Sequence, residues 1–143
     1  MKKTMMVVIA IVALFFTVAV ASANTAARIR LNIPFAFYVD RDLLPAGEYI
    51  FEVCAMSPYA STSSALFIRS LDNTAAKWAH TIPGWNSRNL DQGLAYFSRY
   101  ADKYFLSKVE YADHQVNLKK SKAEKELSAR VGGVQEKILL AMQ

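Results

Sequence analysis

The sequence predicts a mainly β protein, an antiparallel β-sandwich or small barrel of about six to seven strands with a C-terminal α-helix. Three observations carry that expectation. Apolar and polar residues alternate at period two through most of residues 28–112. Turn-forming residues interrupt the alternation at short intervals, and no helical stretch separates the strands, which argues against a parallel βαβ sheet. After Asp113 the apolar spacing changes to three and four residues, the period of a helix.

The chain is expected to be organised as residues 1–23, 24–113 and 114–143. Met1-Lys2-Lys3 is a short positive segment, and Met5 to Val20 is an uncharged, almost unbroken apolar run. Ala21-Ser22-Ala23 supplies the small-x-small pattern that a signal peptidase accepts, so residues 1–23 read as a signal peptide cleaved after Ala23. The apolar run is short for a bilayer core about 30 Å thick. The expected destination is therefore the periplasm or the extracellular space, with membrane contact only through the leader before cleavage. Two of the seventeen basic residues lie in that leader, and the high pI is thus poor evidence for nucleic-acid binding. Cys54 is the only cysteine, so no internal disulfide supports the fold and the apolar core has to hold it.

In the β region, Arg28 to Ile33 alternates charged and apolar residues before Pro34 interrupts the ladder. Phe35 to Val39 continues it, and Asp40-Arg41-Asp42 reads as a solvated connection, not a metal site, because the arginine balances two carboxylates. Leu44-Pro45-Ala46-Gly47 completes a reversal, proline presetting φ and glycine tolerating a positive φ. Tyr49, Phe51 and Val53 then share one strand face, with Glu48, Ile50, Glu52 and Cys54 on the other. Ser57 to Ser64 reads as a loop, Ala65 to Leu71 as a strand, and Asp72-Asn73-Thr74 as a tight turn. Ala75 to Ile82 returns with Trp78, His80 and Ile82 on one face. Pro83 to Gly93 is expected to be irregular. Leu94 to Tyr100 and Tyr104 to Ala112, joined by Ala101-Asp102-Lys103, form an aromatic-rich hairpin. Ser121-x-x-Glu124 has the form of a capping box, Ala123, Leu127, Val131 and Val134 make a narrow apolar stripe, and Gly132-Gly133 is a stop. Val134 to Met142 is expected to add a second short helix.

Several motifs together carry a resemblance. Ile33-Pro34-Phe35-x-Phe37 leads into Leu44-Pro45-Ala46-Gly47-x-Tyr49, followed by Phe97-x-Arg99-Tyr100-x-Asp102-x-Tyr104-Phe105-Leu106-x-x-Val109 and Ser121-x-x-Glu124-x-Glu126-Leu127. This series resembles a family of small exported bacterial proteins with a β-rich body and a charged C-terminal segment. The resemblance spans most of residues 32–130 and implies export and a β fold. It brings no catalytic residues and no activity with it.

The residues themselves point away from catalysis. The ligand types available to a metal, His80, His114, Asp40, Asp42 and Asp113, show no HxxxH, HxH or CxxC spacing. His80 reads as a partly buried strand residue. No G-x-S-x-G elbow is present, and Cys54 within a strand lacks the helix N-terminus that commonly lowers a thiol pKa. No glycine-rich loop leads from a strand into a helix, so neither a nucleotide nor any other cofactor is expected. Two binding candidates remain. Trp85, Asn86 and Arg88 suit a sugar or aromatic ligand, unless Trp85 folds back to plug one end of the sandwich. Lys119, Lys120 and Lys122 form a basic patch suited to an anionic envelope polymer or a protein partner. The expected function is a non-catalytic binding or envelope-associated module, with no nucleic-acid partner. A small-ligand carrier with a cavity between the sheets is the alternative, and an exported hydrolase the more distant one.

Overall fold

Period-two alternation becomes strand almost everywhere it occurs. In the computed structural model residues 27–55, 64–132 and 135–140 are described; for residues 27, 55, 85–89, 113, 135, 138 and 140 that description covers the backbone alone. The elements are β1 (Ala27–Ile33), β2 (Phe37–Val39), β3 (Asp42–Leu44), β4 (Gly47–Ala55), β5 (Ser64–Ser70), β6 (Ala76–Tyr100), β7 (Lys103–Leu118), α1 (Lys122–Val131) and β8 (Gln135–Leu140). The protein is mainly β with a C-terminal helix. Among the described residues the strands form one sheet in the order β1-β4-β5-β6-β7-β2-β3, with β8 added beside β6.

The sheet is mixed and is not closed into a barrel. Every pairing is antiparallel except β2 with β7, where Phe37 lies opposite Tyr104 and Tyr38 opposite Phe105. The bend at Pro34 explains this departure from an all-antiparallel sheet. A proline cannot continue the β1 ladder, so residues 34–36 carry the chain away from β1, and β2 joins the far side of the sheet. Phe35 stacks there on Tyr104, with ring centroids 3.9 Å apart.

β6 organises the rest. One edge follows β7, while the other is shared between β5, along Ala76–Thr81, and β8, along Leu94–Arg99. The sheet folds over so that its halves face one another. Phe37 of β2 meets Tyr49 of β4 edge to face at 5.2 Å and Phe97 of β6 at 5.4 Å, although β2 and β4 are not neighbours in the sheet. Ile29, Leu31, Ile33, Phe51, Leu66, Ile68 and Val109 fill the space around these rings. At Gly93 a Cβ would lie 2.7 Å from Ile29 Cγ2, so β6 crosses β1 too closely for any side chain there.

Short turns are set by individual residues. Asp40, Asn73 and Ala101 take left-handed φ values of 57°, 58° and 55°. Asp and Asn accept that conformation readily, whereas alanine in it costs about 1 kcal/mol. Asp40 and Arg41 form the exposed turn of the β2–β3 hairpin, and Asp42 pairs with Lys77. In Leu-Pro-Ala-Gly-x-Tyr the tyrosine closes the link: the Tyr49 hydroxyl donates to the Pro45 carbonyl at 2.7 Å. Gly47 begins β4 with φ 159°, close to extended.

Four expectations change. Pro83 to Gly93 is not irregular but lies within β6, with register shifts between Trp85 and Leu90 and between Leu90 and Leu94. Such bulges hide a strand from a period-two reading, because each extra residue inverts the pattern. β7 runs past Asp113 to Leu118. Gln135–Leu140, expected as helix, is a strand paired with β6, as short apolar runs fit either structure. Finally, His80, expected to be partly buried, is exposed between Trp78 and Ile82, which point outward at 57% and 46% exposure, while the small Ala79 and Thr81 face inward.

α1 begins and ends as its sequence directs. Ser121 Oγ accepts from the Glu124 amide at 3.1 Å, and Gly132, with φ 68°, donates its N–H to the Ser128 carbonyl at 3.2 Å. A buried polar group also lies inside the β6–β7 hairpin. Tyr96 donates its hydroxyl to Glu110 Oε2 at 2.8 Å, and Lys108 Nζ lies 2.9 Å from Glu110 Oε1 and 3.7 Å from the Tyr96 ring.

Candidate functional site

The parallel pairing of β2 with β7 sets two aromatic rings side by side at one end of the molecule. Tyr38 and Phe105 are register partners, and their rings stack with centroids 4.9 Å apart and planes 18° from parallel. α1 lies beside them, and between helix and sheet opens a groove of about 420 Å³. Tyr38 and Phe105 line it from the sheet, Ala123 and Leu127 from the helix. Its charged groups come from three places: Asp40 and Arg41 from the β2–β3 turn, Lys103 from the start of β7, Glu126 and Arg130 from α1. Lys103 Nζ lies 5.9 Å from the Tyr38 ring centroid, within cation–π range. The groove is thus an aromatic floor with three cations and two carboxylates around it.

A buried network holds the helix against this end of the sheet. Tyr100 closes β6, is fully buried, and meets Phe105 edge to face at 5.8 Å. Its hydroxyl donates to Glu124 Oε1 at 3.3 Å and accepts from Lys120 Nζ at 3.1 Å. Burial pushes the Glu124 carboxyl above its ordinary range, with Lys120 and Tyr100 pulling the other way. The hydrogen bond to Tyr100 raises the Lys120 ammonium, favouring its charged form.

The sequence-derived candidates separate on the structure. Lys119, Lys120 and Lys122 are all exposed at the start of α1. Lys120 joins Tyr100, and Lys122 Nζ lies 3.9 Å from Glu126, which lines the groove. Trp85, Asn86 and Arg88 belong to β6, not to a loop; Trp85 is registered with His114, far along the ladder from the Tyr100–Lys103 turn. Their side chains lie outside the described residues.

Tyr38, Lys103, Phe105 and Arg130 are not among the sequence-derived site candidates, and Arg41 is read from the sequence only as part of a solvated connection. Arg41 and Lys103 sit in turns recognisable as turns, but nothing in their spacing announces that β2 will run parallel to β7. Among the described residues no three His, Cys, Asp or Glu side chains converge as a metal site. Cys54 is a half-buried free thiol on the outer face of β4. No described helix is long and apolar enough to cross a membrane. Compared with protein-family models, with curated proteins and with solved structures, the chain gives no match.

Proposed function

We propose that the protein is an exported, non-catalytic binding module that holds an anionic segment of a cell-envelope polymer in the groove beside α1. The observation that carries this reading is the stacked Tyr38–Phe105 floor set among Arg41, Lys103 and Arg130. Flat rings offer apolar contact to a polymer backbone, while the cations meet its acidic groups. Lys119 and Lys122 extend the positive charge along the start of α1, and Lys122 partly occupies Glu126. Export rests on the charged start, apolar run and Ala21-Ser22-Ala23 pattern of residues 1–23.

Two observations favour recognition at the surface over carriage or catalysis. Phe37, Tyr49, Phe51 and Phe97 occupy the interior between the sheet halves, where a carrier would keep its cavity. Burial raises the Glu124 pKa, yet the carboxyl is 4% exposed and sealed by Tyr100 and the helix cap, so it serves the fold.

Fluorescence anisotropy with labelled polygalacturonate, and neutral dextran as control, tests the groove. The wild type should bind polygalacturonate more weakly as salt rises. The combined R41Q, K103Q and R130Q variant should lose about tenfold in affinity, on the order of 1.4 kcal/mol. Equal binding by that variant, or no binding by the wild type, overturns the assignment. N-terminal sequencing of the native protein should begin at Asn24; an intact Met1 removes the export reading.

A further inference from the structure

We infer that the outer face of β5, β6 and β7 is a second binding platform, built for the flat apolar face of an uncharged glycan chain. It lies on the same outer side of the sheet as the groove but shares no residue with it. Trp78, His80 and Ile82 follow one another on the outward side of β6, because Ala79 and Thr81 between them are buried. On one flank, Phe67 of β5 is the direct register partner of Trp78, and the two rings lie 4.5 Å apart at 32°. On the other flank, Asn117 is the partner of Ile82 and Gln115 the partner of Gly84. Gln115 Nε2 donates to Asn117 Oδ1 at 2.9 Å.

Gly84 matters to that amide pair. A Cβ there would lie 3.0 Å from Asn117 Nδ2 and 3.2 Å from Gln115 Nε2, so the amides rest directly on a bare stretch of β6. Their mutual bond leaves the Gln115 carbonyl oxygen as acceptor and the Asn117 amide nitrogen as donor to a ligand. From Trp78 to Gly84 the row is about 20 Å long. An extended, exposed strip with an indole at one end and paired amides at the other matches an oligosaccharide. The sugar's C–H face packs on the ring, and its hydroxyls bond to amides and imidazole.

The same features disfavour a second protein on this face. The apolar part consists of Phe67, Trp78 and Ile82, interrupted by His80. A stable interface buries about 1,600 Å² and is depleted of charge at its centre. Here a charged ladder begins on the very next strand, where Glu52, the register partner of Phe67, lies 3.0 Å from Arg28 and 3.8 Å from Arg69.

Isothermal titration with cellohexaose and chitohexaose, two neutral oligosaccharides, tests the platform on the full exported chain. At least one should bind. Trp78→Ala should weaken it tenfold or more, and Trp78→Phe, which keeps a ring, should fall between variant and wild type. Melting temperature should change little, because Trp78 is largely exposed. R41Q, K103Q and R130Q together should leave this binding intact, so failure here and failure of the groove are separate results. Neither sugar binding to the wild type, or undiminished binding by Trp78→Ala, overturns the proposal. Self-association that Trp78→Ala abolishes would also overturn it, assigning the face to a second copy.

Discussion

Two glutamates are buried in this protein in nearly the same company. Glu110 and Glu124, 2% and 4% exposed, each accept from the hydroxyl of a β6 tyrosine, Tyr96 and Tyr100, and each has a lysine nearby. The assembly differs. Lys108 touches Glu110 directly and stands two residues from it on β7, so acid and base share one strand face. Lys120 and Glu124 both hydrogen-bond the Tyr100 hydroxyl, which stands between them, and that arrangement exists only while α1 rests on the sheet. The first network belongs to a hairpin; the second is a property of helix docking. A buried acid held by a direct ion pair serves permanence, whereas one held through an intermediary hydroxyl links docking to pH.

The largest effect should come from breaking the direct pair. Lys108→Met removes the cation that touches the buried Glu110 carboxylate and should cost about 3 kcal/mol in urea unfolding. Adding Glu110→Gln should restore most of that loss, because two neutral partners carry no desolvated charge; no recovery would mean the lysine acts through packing. Tyr100→Phe comes next, at about 1–2 kcal/mol, since one hydroxyl serves both Glu124 and Lys120. Tyr96→Phe should cost less, because Glu110 keeps Lys108, and equal losses would erase the distinction. The smallest effect is Glu124→Gln, under about 1 kcal/mol at pH 7. Its value lies in pH. The folded carboxyl titrates above its ordinary 4.5, so its contribution is complete below that value and is lost as pH rises through the folded pKa. Thermal melts from acid to neutral pH should therefore show a shallower decline in the glutamine variant, which should be no less stable at pH 7. An unchanged slope would show that Glu124 does not carry the dependence.

The sequence displayed the parts of the fold that obey one local period. Arg28 and Arg30 alternate with Ile29 and Leu31, and the outer and inner faces of β1 follow; Ser121 and Glu124 announce the helix start. It misled at His80, which reads as partly buried but is exposed, because the small Ala79 and Thr81 form the inward face of that stretch. It was silent where bulges reset the pattern, as from Trp85 to Leu94, and Gly93 gave no sign that it marks the crossing over Ile29. The groove was least legible of all. Its residues come from a turn, a strand start and a helix face, and they meet only because Pro34 sends β2 across to β7. The lysines before α1 were visible as charge, but not as neighbours of Tyr100.

The double use of one edge of β6 has a consequence in time. During synthesis β5 is already made when β6 appears, and Ala76–Thr81 can pair at once. Leu94–Arg99 must wait for β8, which follows the whole of β7 and α1. For that interval the aromatic half of the longest strand presents open amides and carbonyls to any passing chain. The order of manufacture thus fixes a window of vulnerability, and it closes only when the strand after the helix arrives.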